Sequence, residues 1–178
     1  MNFFRNSTIT AALIIPFFLL MGSAGASWGI TDMLQDNGPK IIGTEVAIED
    51  ITEFYYTYST STYPPKYQRY HFSVKDGDYL FYHEKREGRH WPLDEKDITV
   101  SGTIKLSREE WNQFFDYVKG GKVEKRKEHL ETGGRGPWLF LYWKGDQSKI
   151  QEFTFANYGK QTAFENFCVK LKNEEENH

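Results

Sequence analysis

The sequence predicts an α+β fold, an antiparallel β-sheet built from hairpins with two amphipathic helices packed on one face. Three observations lead there. Aromatic residues make up 17% of the chain, most of them Tyr and Phe, side chains that suit the pleated surface of a strand. Two segments, Tyr67 to Arg86 and Pro137 to Ala156, place turn residues between apolar or alternating arms, which is the local signature of a hairpin. Two further segments repeat apolar side chains at the helical period, and each follows a predicted strand.

The first residues carry an address rather than a fold. Arg5 precedes an apolar run from Ile9 to Met21, and small residues follow up to Ala24-Gly25-Ala26, so residues 1–26 are expected to be a secretory signal peptide cut after Ala26. An uncleaved membrane anchor is the alternative, but the run holds Pro16 and falls short of the ~20 apolar residues a spanning helix needs. The chain's one cysteine, Cys168, is remote from this site, which excludes lipid attachment there and any disulfide within the chain. Beyond the signal the division expected is an extension over 27–50, a single α+β domain over 51–172 and a frayed tail over 173–178. A domain of this size buries roughly 70% of its unfolded surface and holds together without disulfides.

In order, Ser27 to Pro39 has room for a short helix around Thr31 to Gln35, stopped by Asn37-Gly38-Pro39. Lys40 to Asp50 reads as a weak strand and Ile51 to Ser59 as a strong one. Serines, threonines and Pro64-Pro65 then break the chain. In the hairpin from Tyr67 to Arg86 the turn is Asp76-Gly77. Two turn residues set Tyr82 opposite His71 and a bulge sets it opposite Tyr70, and the sequence leaves both open. In the charged connection Glu87 to Asp97, Trp91-Pro92-Leu93 is expected to dock as an apolar plug.

Ile98 to Leu106 reads as a strand leading into a helix with full start chemistry. Ser107 is the N-cap, Glu110 completes a capping box, and Leu106 can staple against Trp111. The helix's buried stripe is Trp111, Phe114, Phe115 and Val118, and Gly120-Gly121 ends it. The charged run Lys122 to His129 is an edge strand or a solvated loop. Glu131 to Pro137 leads into the central hairpin, whose first arm, Trp138 to Lys144, suits a strand covered on both faces. After the turn at Gly145 and Asp146, the second arm alternates with Gln151, Phe153 and Phe155 on one side. The closing helix is expected from about Lys160, with Phe164, Phe167, Cys168 and Leu171 as its stripe. The shared stripe is either the trace of a duplicated strand-strand-helix unit or the common look of two helices on one sheet. Both readings give the same architecture.

This order of elements, an ITEFYYTYS strand, a DG hairpin, a capped helix after Leu106 and a final hairpin running into a closing helix, resembles small uncharacterised exported proteins of Gram-positive gut bacteria. The resemblance spans about Ile51 to Leu171. It implies an extracytoplasmic location and carries over no activity and no site residue.

Charge and motifs narrow the function classes. The net charge of −3 becomes −4 once Arg5 leaves with the signal, which argues against nucleic acid as a partner and against binding to anionic membrane. No membrane insertion is expected after signal cleavage. A nucleophile elbow is missing, and Cys168 on an apolar stripe reads as a small core side chain. The Gly-rich ETGGRGP precedes a strand and lacks a phosphate loop's lysine and helix. His83, Glu87 and His90 have metal-ligand chemistry, but their spacing matches no zinc motif and they straddle a strand end and a loop, so no metal and no cofactor is expected. Asp94, Glu95 and Asp97 are either an acid/base set for a glycan or a solvated loop.

What is left is the surplus of tyrosine in the first strands. Alternation sends part of it away from the helices, and Tyr70, Tyr82, Arg69, His71 and Arg86 are the candidates for a binding face, Tyr and Arg being the residues interfaces favour. The plain alternative is that tyrosine simply suits an exposed strand. The expected function is therefore an exported non-enzymatic binding module for an extracellular protein or a cell-envelope glycan. The alternative is a secreted hydrolase using carboxylates or the His83 to His90 cluster.

Overall fold

The computed structural model of the chain describes residues 38–125, 137–145 and 151–175. The expected signal peptide, the short helix around Thr31 to Gln35, most of the ETGGRGP connection and Asp146 of the central turn lie outside these residues. The described chain forms strands β1 (Lys40–Ile41), β2 (Ile51–Thr60), β3 (Lys66–Lys75), β4 (Asp78–Glu87) and β5 (Ile98–Leu106), then helix α1 (Arg108–Val118). Strands β6 (Lys122–Lys125), β7 (Trp138–Trp143) and β8 (Gln151–Thr154) and helix α2 (Tyr158–Glu175) follow. The strands make one sheet in the order β1-β6-β8-β7-β2-β3-β4-β5, antiparallel throughout, so the fold is the α+β architecture the sequence predicts.

Register in the long meander is set at Asp76-Gly77. Both residues have positive φ, +54° and +87°, and Lys75 pairs with Asp78, so the turn has two residues with the primed geometry that matches strand twist. Tyr82 accordingly stands opposite His71, and Phe81 opposite Phe72. The period of two then sorts β2, β3 and β4 into a helix face, with Phe54, Tyr56, Tyr70, Phe72, Phe81 and His83, and an outer face.

Both helices pack on the helix face. Phe72 stacks on Phe114 of α1 with centroids 4.3 Å apart and planes 10° apart. Phe54 meets Phe114 at 5.5 Å and Phe153 and Phe164 at 5.3 Å, so one ring of β2 joins β8 and both helices. Edge and offset contacts of this kind add ~0.5–1.5 kcal/mol each beyond burial.

The helices start as their sequences dictate. Ser107 accepts from Glu110 N at 3.2 Å and Glu110 accepts from Ser107 N at 2.7 Å, the reciprocal bonds of a capping box. Trp111, Phe114 and Val118 are buried, and Phe115 lies partly buried at their side. Gly121 follows without a side chain because a Cβ there would stand 2.4 Å from the Phe153 ring and 2.8 Å from the Thr154 carbonyl. Helix α2 begins two residues ahead of the expected Lys160, with Asn157 Oδ1 accepting from Lys160 N at 2.9 Å. Its whole expected stripe, Phe164, Phe167, Cys168 and Leu171, is buried.

Several expectations are corrected. Only two residues of Lys40 to Asp50 form a strand. Glu45 accepts from Ile41 N at 2.8 Å and Gly43 turns with φ +86°, which drops Ile42 and Val46 into the core. Strand β6 is not the sheet's edge, because β1 pairs outside it. The plug in the charged connection is Leu93 alone, since Trp91 remains 44% exposed and Pro92 is exposed. The start of the tail expected to fray over 173–178 is helical, since the closing helix runs to Glu175, with Lys170 and Glu174 paired at 3.6 Å across one turn.

Replacing Ser107 by Ala removes one half of the capping box and should lower stability by ~1 kcal/mol in urea unfolding, with the slope against denaturant unchanged. Cys168 is buried on the apolar stripe, and burial followed by the Glu165 charge raises its thiol pKa well above the usual range. Thiol labelling of the native chain should therefore be slow and become fast in denaturant, and fast native labelling would contradict this packing.

Candidate functional site

The outer face of β2, β3 and β4 is a grid of polar and aromatic side chains ordered by the same register. One row runs Phe140, Tyr55, His71, Tyr82, Thr103 across β7, β2, β3, β4 and β5. The next holds Trp138, Thr57, Arg69, Glu84 and Ser101, and in a third Tyr67 faces Arg86. Neither helix lies on this side, because the rings the helices touch belong to the opposite face.

Two carboxylates organise the grid. Glu84, buried on β4, accepts from Tyr82 Oη at 2.5 Å and from Arg86 Nε at 2.8 Å and Nη2 at 2.6 Å. These partners stand two residues either side of it, where alternation brings them to one face. Burial, the hydrogen bond to Glu84 and its charge push the Tyr82 phenol up to about 12. For Arg86 burial works in the opposite sense but loses to the bond to Glu84, so the guanidinium is held more firmly charged than usual. Its planar head lies over the Tyr67 ring, 4.3 Å from the centroid, with Arg69 5.4 Å from the same ring.

The second carboxylate is Glu53 on β2. Tyr55 donates its hydroxyl to Glu53, His71 Nε2 stands 3.3 Å from the same oxygen, and the Tyr55 and His71 rings stack 4.0 Å apart at 8°. Burial and then Glu53 raise the Tyr55 phenol beyond its usual range. For His71, burial outweighs the attraction of Glu53, and the nearby Arg69 charge acts in the same sense as burial, so its pKa lies below 6.5.

Of the residues singled out in the sequence, Arg69, His71, Tyr82 and Arg86 come together on the outer face. Tyr70 does not. It falls on the helix face, buried, with its ring 5.8 Å from both Tyr56 and Phe81, because alternation along β3 keeps it in phase with Phe72. His83, Glu87 and His90 are not gathered either: His83 is buried on the helix face, Glu87 is exposed at the strand end, and His90 sits in the following loop. Among the described residues no three His, Cys, Asp or Glu side chains form a metal-holding group. Asp94 and Asp97 serve the chain itself. Asp94 accepts from Lys96 N and Asp97 from Asp94 N, each at 2.7 Å, which caps a single 3-10 turn. The Asp94 amide and then His90, 3.0 Å away, hold Asp97 below the usual carboxylate range.

Sequence reasoning passed over Glu53 and Glu84, whose signal was the spacing Glu-x-Tyr and Tyr-x-Glu-x-Arg on predicted strands. These carboxylates are no hydrolytic pair. Two strand spacings of ~4.8 Å and four residues of ~3.3 Å separate them by roughly 16 Å, whereas paired glycosidase carboxylates stand ~5–9.5 Å apart.

Searches of protein-family models, curated proteins and solved structures find no match for this chain.

The lowered pKa of His71 has a defined effect on stability. The unfolded imidazole takes its proton near 6.5 while the folded one resists it, so this contribution is complete above pH 6.5 and declines as pH falls below that value toward the folded pKa. The His71 NMR titration should have its midpoint below 6.5, and His71→Gln should flatten the stability profile in that window. A midpoint above 6.5 would show that Glu53 prevails over burial.

Proposed function

We propose that this protein is an exported binding module that holds an extracellular protein or a cell-envelope glycan against the outer face of its sheet. One observation carries the reading: Tyr55, His71 and Tyr82 form a continuous cross-strand row on the face turned away from the helices, flanked by Arg69 and Arg86. The two phenols of this row are already engaged by Glu53 and Glu84, so their rings are oriented before a partner arrives, and ordering them on binding costs little. Aromatic and arginine side chains in such a setting are those that dominate binding energies. Export is supported by Arg5, the apolar run that follows it and Ala24-Gly25-Ala26, and by the resemblance to small exported proteins of Gram-positive gut bacteria. No described helix is long and apolar enough to cross a membrane.

The test sets Tyr82 against Tyr70. Tyr82→Ala should weaken retention of the secreted chain on envelope preparations by ~1–2 kcal/mol with little change in melting temperature. Tyr70→Ala should instead lower stability by ~3 kcal/mol or more, because it empties a core site under two rings. Retention unaffected by Tyr82→Ala would remove the support for this face.

A further inference from the structure

At the end of the sheet, where β2 and β4 end and β3 begins, the surface opens into a cleft of about 540 Å³. This lies within the ~300–1,000 Å³ typical of small-molecule sites. Tyr58, 36% exposed, and the exposed Pro64 supply flat apolar surface, and Tyr67 carries the Arg86 guanidinium on its ring. Of the lining cations, Lys85 is held by Glu87 and Arg86 by Glu84, which leaves Lys66 for a ligand. The Lys66 ammonium is exposed and makes no ion pair among the described residues. This one cation left over, on a chain of net charge −3, is a complement for an anion.

We propose that this cleft binds an anionic saccharide, a sugar unit bearing a carboxylate or a phosphate. This goes beyond the reading above, because Tyr58, Lys66, Lys85 and Glu87 stand at positions in phase with Tyr56, Tyr70 and His83, not with the outer row of Tyr55, His71 and Tyr82. A sugar's C–H face packs on Tyr58 and Pro64, its anionic group meets Lys66, and Glu87 accepts from a hydroxyl. An acidic peptide fits less well. Glu87 repels it, and the strands around the cleft are interior to the sheet, with β2 between β7 and β3, β3 between β2 and β4, and β4 between β3 and β5.

Calorimetry on the full secreted chain tests this with an oligogalacturonate, a phosphorylated mannan oligosaccharide, neutral cellotetraose and a poly-glutamate peptide. At least one anionic saccharide should bind at least tenfold (about 1.4 kcal/mol) more tightly than cellotetraose. Its affinity should fall as salt rises. Lys66→Ala, Lys66→Glu and Tyr58→Ala should each weaken it about tenfold while the melting temperature holds, because both side chains are exposed. If neither anionic saccharide binds, if cellotetraose or poly-glutamate binds as tightly, or if the variants leave the affinity unchanged, the inference is overturned. Should that happen while Tyr82→Ala still releases the chain from envelope preparations, the cleft reading falls and the sheet-face reading stands. Loss of both effects removes both.

Discussion

The alternation of β2, β3 and β4 about one two-residue turn is the constraint on which the rest of the structure depends. A register one residue away would exchange the two faces of β4 relative to β3, sending Phe81 outward and Tyr82 and Glu84 under the helices. With no disulfide to limit alternatives, pairing itself sorts a crowd of similar rings into a core set and a surface set. Asp76 and Gly77 provide the local geometry, and Phe72 opposite Phe81 the packing that makes other registers costly.

The two faces of that sheet use aromatic side chains differently. On the helix face rings meet rings, and the Tyr56 phenol reaches across to a helix, donating to Glu165 at 2.6 Å. On the outer face each phenol of the row answers to a carboxylate two residues away on its own strand, and each carboxylate also faces a second partner, His71 or Arg86. Glu84 is tolerable in a buried position because its negative charge meets a guanidinium in a fork-like contact and a phenol. Removing either charge strands the other, so Glu84 and Arg86 act as a unit.

Much of the fold was legible because its signals are local. The DG turn, the capping box at Ser107 and the stripe from Phe164 to Leu171 each lie within a few residues, and the structure contains all of them. What sequence could not show depends on partners far along the chain. Tyr70 and Tyr82 look equivalent until the turn assigns them to opposite faces. Strand β6 looks like an edge until β1 pairs outside it, and Trp91 looks like a plug until Leu93 takes the buried place. The site was half legible: the cationic and aromatic residues stood out by type, whereas Glu53 and Glu84 resembled any surface acids until burial and bonding distinguished them.

The sheet order has a consequence for how the chain reaches this state. Strand β2 pairs with β3 on one side and with β7 on the other, and β7 lies beyond β4, β5, α1 and β6 in the chain. As the polypeptide emerges from its N-terminus, the meander from β2 to β5 and helix α1 are available first, with one flank of β2 lacking its neighbour and Phe54 lacking Phe153 and Phe164. Closure waits for Trp138–Trp143 and the final helix, a pairing whose long loop makes it slow. Until then the nascent chain exposes the flank and rings of its own central strand, which makes the interval before the last third arrives the period in which it most needs protection from other chains.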